Sequence, residues 1–169
     1  MTEKVPKKSD ALRNESISYF LESSVRDLTP TDAHRDISVL FMPAQHDGPP
    51  ADFFGSILSL SELSRAERFK GIDHKISFLQ RRAFRRFCGV IALGDARPLS
   101  QVDFATTREG RPYLSELPRA WFSFSACRHG YLAAWSYSSA VGADIESLDQ
   151  AASPVEMASY HFAPNESDT

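Results

Sequence analysis

Cysteine is scarce in this chain. Only Cys88 and Cys127 occur in 169 residues, and they form no CxxC pair. That count argues against a disulfide scaffold and against a structural zinc site. No apolar run approaches the ~20 residues that a membrane-spanning helix needs. The N-terminus lacks the apolar stretch of a secretory leader, so no leader is expected and the cytoplasm is the expected compartment. An excess of one charge is also missing. Nineteen Lys and Arg stand against 22 Asp and Glu, a net charge of −3. No whole-surface attraction to nucleic acid follows from that balance, although local basic patches remain open. Internal repeats are absent too. What is present is an apolar content of 42 %, twelve Phe, and the length of a single domain.

Residues 1–35 are polar and of mixed charge, and predict a mostly flexible arm, with a short helix possible over Ser16–Leu28. Asp36–Met42 predicts the first strand, with Ile37, Val39 and Phe41 on one face. After the Gly48-Pro49-Pro50 loop comes a helical block that Ser61 can cap, with Glu62, Glu67 and Arg68 on its exposed face. A second helix is predicted from about Asp73 to Leu93. Its apolar positions Ile76, Leu79, Ala83, Phe87, Val90 and Ile91 repeat at helical spacing. Arg81, Arg82, Arg85 and Arg86 crowd its polar face. They suit phosphates or an acidic partner, or equally a solvated face with local ion pairs. Gln101–Thr107 reads as a strand. Glu109–Leu114 reads as a turn followed by a short extended piece, because Pro112 biases Arg111 toward extended geometry. Three more strands are predicted over Trp121–Ser125, Tyr131–Tyr137 and Ala140–Glu146, the last two as a hairpin through Ser138-Ser139. Ser153-Pro154-Val155-Glu156 opens another helix.

The chemistry centres on Val141-Gly142-Ala143-Asp144-Ile145-Glu146. In an extended chain Val141, Ala143 and Ile145 face one way, and Gly142, Asp144 and Glu146 the other. The two carboxylates then start roughly 6–7 Å apart at the backbone. Such a pair can hold one hard cation, with water and phosphate oxygens filling the rest of the shell. A solvated edge strand has the same alternation. A nucleophilic pair of Cys127 with His129 is the other catalytic option, but residues two apart on a loop rarely face each other. The remaining histidines show no ligand spacing. Tyr113, Trp121 and Trp135 read as core residues.

Six elements occur in a telling order. They are Leu60-Ser61-Glu62 with Arg65, Arg68 and Phe69; Phe78-Leu79 with Phe84-Arg85; and Gly110-Arg111-Pro112-Tyr113-Leu114. Phe122-Ser123-Phe124-Ser125-Ala126-Cys127, the 141–146 stretch, and Phe162 to Glu166 complete the series. In this series residues 36–168 resemble the N-terminal half of the large, pseudo-dimeric class of 4′-phosphopantetheinyl transferases. The resemblance implies an α+β half in which an antiparallel sheet packs against a long helix. It implies an N-terminal half over 36–150 and the start of a truncated second half over 151–169. It also implies Mg²⁺-dependent transfer of 4′-phosphopantetheine from coenzyme A to a serine of an acyl or peptidyl carrier protein. Asp144 and Glu146 would be metal ligands, and Glu166 a catalytic or metal carboxylate. Arg111, Ser125 and, as a substitute for a family arginine, Lys75 or His74 would contact coenzyme A. Ala126 stands where the family has a histidine. The Trp-x-x-Lys-Glu-x-x-x-Lys helix of the second half has no counterpart in the sequence. Impaired transfer is therefore expected, the alternative being a fragment that binds coenzyme A or a carrier protein without catalysis. A lone half would expose the apolar face meant for its partner half, which predicts self-association.

Overall fold

A computed structural model describes residues 23–29, 36–45, 51–95 and 97–148. Its frame is a four-stranded antiparallel sheet. The strands are β1 (Arg26–Asp27), β2 (Ile37–Pro43), β5 (Trp121–Cys127) and β6 (Gly130–Ser136), in the spatial order β1-β2-β6-β5. A small hairpin of β3 (Ala105–Thr106) and β4 (Pro112–Tyr113) forms a second, two-stranded sheet, with β4 against β5. Two helices follow β2 in sequence, α1 (Leu60–Ala66) and α2 (Ile72–Leu93). Single turns of tighter helix cover Ala51–Ser56 and Leu99–Gln101. The fold is α+β, with an antiparallel sheet and one long helix.

Local chemistry sets the helix ends. Ser59 caps α1, two residues before the expected Ser61. Its Oγ accepts the Glu62 N–H, while the Glu62 carboxylate accepts the Ser59 N–H at 2.9 Å. This reciprocal pair satisfies two donors that a helix start otherwise leaves orphaned. Glu62 itself is half-buried rather than on an exposed face, because it also receives Arg86. α2 spans 22 residues, about 33 Å at 1.5 Å per residue. It stops at Gly94, whose left-handed φ of 67° suits a residue without a Cβ.

The expected apolar stripe of α2 holds through Leu79, Ala83 and Phe87, all buried. Ile91 departs from it at 43 % exposed. The sheet ends before this last turn: Tyr137, one residue past β6, already reaches Ala92 O at 2.5 Å. Arg86 departs in the opposite sense. It is buried, not on the polar face, because acceptors await it there. Nη2 donates to Glu62 Oε2 at 2.8 Å and Asp103 Oδ1 at 3.4 Å, and Nη1 donates to the Val102 and Leu99 carbonyls. One guanidinium thus ties α1, α2 and the 99–103 segment together.

In β2 the deeper face carries Leu40 and Met42, whereas Ile37, Val39 and Phe41 are only half-buried. Even-numbered residues meet the core because α2 and Phe54 pack on that side of the sheet; the odd-numbered face is only partly covered. The expected Gln101–Thr107 strand shortens to Ala105–Thr106, and its first residue closes the turn that begins at Leu99. Tyr131 joins helix to sheet. Its ring lies 6.4 Å from Phe84, and its hydroxyl bonds Gln80 Oε1 and Ser77 Oγ.

The hairpin expected between 131–137 and 140–146 does not form. β6 is already paired on both sides, with β2 and with β5, and has no free edge to offer. The chain instead passes the end of β5 and runs along its outer edge. Residues 23–29 pack at the opposite edge, where Arg26 pairs with Phe41 and Gln45 Nε2 donates to Ser24 Oγ. The remainder of the 1–35 arm and the 151–169 segment, with Glu166, lie outside the described residues.

Candidate active site at the outer edge of β5

Ser123 and Ser125 alternate with Phe122 and Phe124 along β5. The period of two sends both hydroxyls to one face. There they receive the following chain. Ala143 N donates to Ser123 Oγ at 2.9 Å, and Ile145 N to Ser125 Oγ at 3.2 Å. The register 123 with 143 and 125 with 145 runs this segment parallel to β5. It is held by side-chain hydroxyls rather than by a backbone ladder, so 141–147 carries the alternation of a strand without its pairing. Val141, Ala143 and Ile145 are half-buried, while Gly142, Asp144 and Glu146 are exposed. The two carboxylates therefore share one open face.

Ser125 does a second thing. Its hydroxyl donates to Asp144 Oδ1 at 2.7 Å, which also accepts Ile145 N at 3.0 Å. One Asp144 oxygen is thereby fixed. Its Oδ2 and both Glu146 oxygens accept no hydrogen bond among the described residues. That donor set fits a hard divalent cation, since magnesium needs one or two carboxylates and takes its remaining ligands from water and phosphate. Among the described residues no third His, Cys, Asp or Glu joins the pair.

A basic trough made of three hollows that meet at Arg85 adjoins β5; Ser125 lines one hollow and Ser123 and Val141 another, while Asp144 and Glu146 line none of the three. A hollow of about 230 Å³ is lined by Arg81, Phe84, Arg85, Ser125, Ala126 and Tyr131. A wider, open one of about 380 Å³ is bounded by Arg85, Gly110, Arg111, Ser123, Phe124 and Val141. A third, about 150 Å³, lies between Arg65, Phe69, Phe78, Arg81, Arg82 and Arg85. Aromatic rings hold the guanidiniums in place. Arg85 Cζ sits 4.8 Å from the Phe124 centroid, Arg111 Cζ 4.2 Å from Trp121, and Arg65 and Arg82 at 5.6 and 5.4 Å from Phe78. Among the described residues Arg65, Arg81, Arg85 and Arg111 form no ion pair, while Arg82 makes only a 3.7 Å approach to Glu62. Burial, then repulsion from Arg82 and Arg81, pulls the Arg85 pKa down to about 10. Arg85 is still charged at neutral pH.

Of the residues singled out from sequence, Ser125 and Asp144 bond each other, Glu146 is exposed on the same side of its segment as Asp144, and Arg111 lines the hollow that Ser123 and Val141 share. Lys75 does not join them. Its Nζ pairs with Glu67 at 2.7 Å, ten residues before Arg85, or about 15 Å along α2. Cys88 is buried, and burial pushes its thiol pKa up, which removes it from nucleophilic chemistry. His129 Nε2 accepts from Arg128 Nε at 2.9 Å on the β5–β6 turn. Ser123 escaped the sequence reading. The Phe-Ser-Phe-Ser alternation was the signal, since it places two hydroxyls on one strand face. Trp121 was read as core but is 38 % exposed and forms the platform under Arg111.

No protein-family model matches this chain, and no curated protein gives a significant match. Its chemistry therefore rests on the geometry of the site.

Proposed function

We propose that this chain forms one wall of a 4′-phosphopantetheinyl transfer site of the kind its motifs resemble. The substrates would be coenzyme A and a carrier-protein serine, with Mg²⁺ as cofactor. The observation that carries the reading is the Ser125–Asp144 hydrogen bond. It ties an exposed carboxylate, two residues from a second one, to Ser125, which also lines a hollow with Arg81 and Arg85.

Bound Mg²⁺ would supply charge neutralisation on the pyrophosphate. Asp144 and Glu146 would hold the metal, and Ser125 orients Asp144 by fixing one of its oxygens. Arg111 and Arg85 bind phosphate oxygens. Trp121 and Phe124, beneath them, limit how far either guanidinium can swing. In the reaction the carrier serine oxygen forms a bond to the pantetheine-side phosphorus. The bond from that phosphorus to the bridging oxygen breaks, adenosine 3′,5′-bisphosphate leaves, and the serine proton passes to a carboxylate or water. Glu166 is the residue that the resemblance offers for that proton.

Binding without transfer is the second reading. It is favoured by Ala126, which is exposed in the trough and offers no donor, and by the presence of only two carboxylates at the described site. The test is to incubate the full chain with coenzyme A, Mg²⁺ and an apo carrier protein, and to read the carrier's mass. The transfer reading expects a gain of one phosphopantetheine that disappears with chelator and in Asp144→Ala. A folded chain that binds coenzyme A yet yields no gain leaves only the binding reading.

A further inference from the structure

Arg85 is the one side chain common to all three hollows of the trough. Its position follows from helix geometry. Arg81 and Arg85 are four residues apart and Arg82 and Arg85 three apart, so all three guanidiniums project from one face of α2. That face is not a solvated ion-pair lattice. Glu62 receives Ser59 and Arg86 on its Oε2, and only its Oε1 turns to this face, where Arg82 Nε stands at 3.7 Å. Ala126, on the wall opposite Arg81 and Arg85, presents a methyl group. Ser125 beside it donates its only proton to Asp144. Donors to an anion in that hollow therefore come from the two arginines.

Arg81 and Arg85, like-charged and without an ion pair among the described residues, are suited to an external anion of high charge. Hollows of about 150 and 230 Å³ match single phosphate groups rather than a polymer. We propose that Arg85, assisted by Arg81, is the specificity-determining phosphate clamp of this chain, gripping a phosphomonoester group with its planar fork across the hollow at Ala126. The fork suits phosphate oxygens in pairs, which a lysine cannot match. The inference rests on the transfer reading only for the kind of molecule that carries the phosphate. The grip itself needs neither the metal nor the carboxylates.

The experiment is calorimetric titration of the full chain at low ionic strength with EDTA present. The probes are adenosine 3′,5′-bisphosphate, inorganic phosphate and adenosine. The bisphosphate is expected to bind and adenosine to give no heat. Inorganic phosphate is expected to compete with the bisphosphate, showing that the phosphate rather than the nucleoside is held. Arg85→Gln should weaken the bisphosphate by about tenfold or more, the factor that one charge-assisted bond carries. Arg85→Lys keeps the charge, preserves the fold if the glutamine does not, and should recover only part of the affinity. Arg26→Gln removes one positive charge at the far edge of the sheet and should leave binding within about twofold, as for an exposed charge outside the site. Equal binding by wild type, Arg85→Gln and Arg85→Lys would overturn the inference. So would a loss in Arg26→Gln as large as that in Arg85→Gln, or no bisphosphate binding at all. The two claims fail separately. Arg85-dependent bisphosphate binding without any mass gain on a carrier protein defeats the transfer reading and keeps the clamp. Mass gain with binding indifferent to Arg85 does the reverse.

Discussion

Replacing Arg86 with methionine should remove about 3 kcal/mol of stability. Arg86 is 4 % exposed and donates to two carboxylates and two backbone carbonyls. A hydrogen bond to a charged group contributes about 1.5–3 kcal/mol, and a neutral one about 1. Its partner Glu62 has a side chain only 15 % exposed, so the substitution leaves a largely buried carboxylate with only Arg82, 3.7 Å from its other oxygen, as counter-ion. Breaking such a pair from one side costs about 3–5 kcal/mol. Two effects reduce the loss. Arg86 Nε is buried with no partner among the described residues, so the native arginine already carries a penalty. Methionine also keeps most of the aliphatic packing. A domain stable by about 5–15 kcal/mol would then lose a large fraction of its margin. The assay is urea unfolding followed through Trp135, a buried indole in the sheet. Glu62→Gln combined with Arg86→Met should be less destabilised than the sum of the single variants, by about 1 kcal/mol or more, because the orphaned carboxylate is gone. A loss below about 1 kcal/mol in Arg86→Met, or strict additivity in the double variant, would refute the view that Arg86 clamps α1, α2 and the 99–103 segment together.

Acid stability should depend on Glu62. Burial pushes its pKa up, but the Ser59 N–H, the Arg86 hydrogen bond and the Arg86 charge outweigh that and leave it below the usual 4.5. The unfolded chain therefore takes the proton first, so the contribution is full above about pH 4.5 and fades as pH falls through the folded value. Glu62→Gln should lose less of its urea midpoint between pH 5.5 and pH 3.5 than wild type does; an equal loss assigns the acid limb elsewhere. Gly130→Ala should destabilise by about 1–3 kcal/mol, since the new Cβ would meet the Phe41 ring, with Cζ at 2.6 Å, and the Met42 carbonyl at 2.9 Å across β2 and β6. An unchanged melting temperature would show that β2 yields more easily than its pairing suggests. Sedimentation velocity should find the chain above its monomer mass. Leu60 and Ile72, at the starts of α1 and α2, are 83 % and 62 % exposed, which is costly for large aliphatic groups in water. A monomer at every concentration would set that aside.

Much of this was legible before any fold was known. The period of α2, the Gly110 turn and the strand pair around Arg128 depend on residues within a few positions of one another. Asp144 and Glu146 also fall on one face through simple alternation, and their exposure follows from it. Ser59 was missed in favour of Ser61 because both are good caps, and Glu62 suits only the one three residues before it.

The decisive errors were of another kind. Local pattern, by itself, determined which residues could share a face: Leu79, Ala83 and Phe87 on α2, Ser123 and Ser125 on β5, the two carboxylates beyond. Tertiary structure decided what each face would meet. Arg86 and Arg85 are neighbours with the same side chain, yet one is drawn into the core by Glu62 and two carbonyls while the other rests on Phe124 and forms no ion pair among the described residues. The 141–147 segment lies against β5 rather than β6 because β2 had taken the edge that a hairpin would have used. A strand's periodicity resides in its own residues, but a free edge or an unmatched charge exists only once the rest of the chain has chosen its partners.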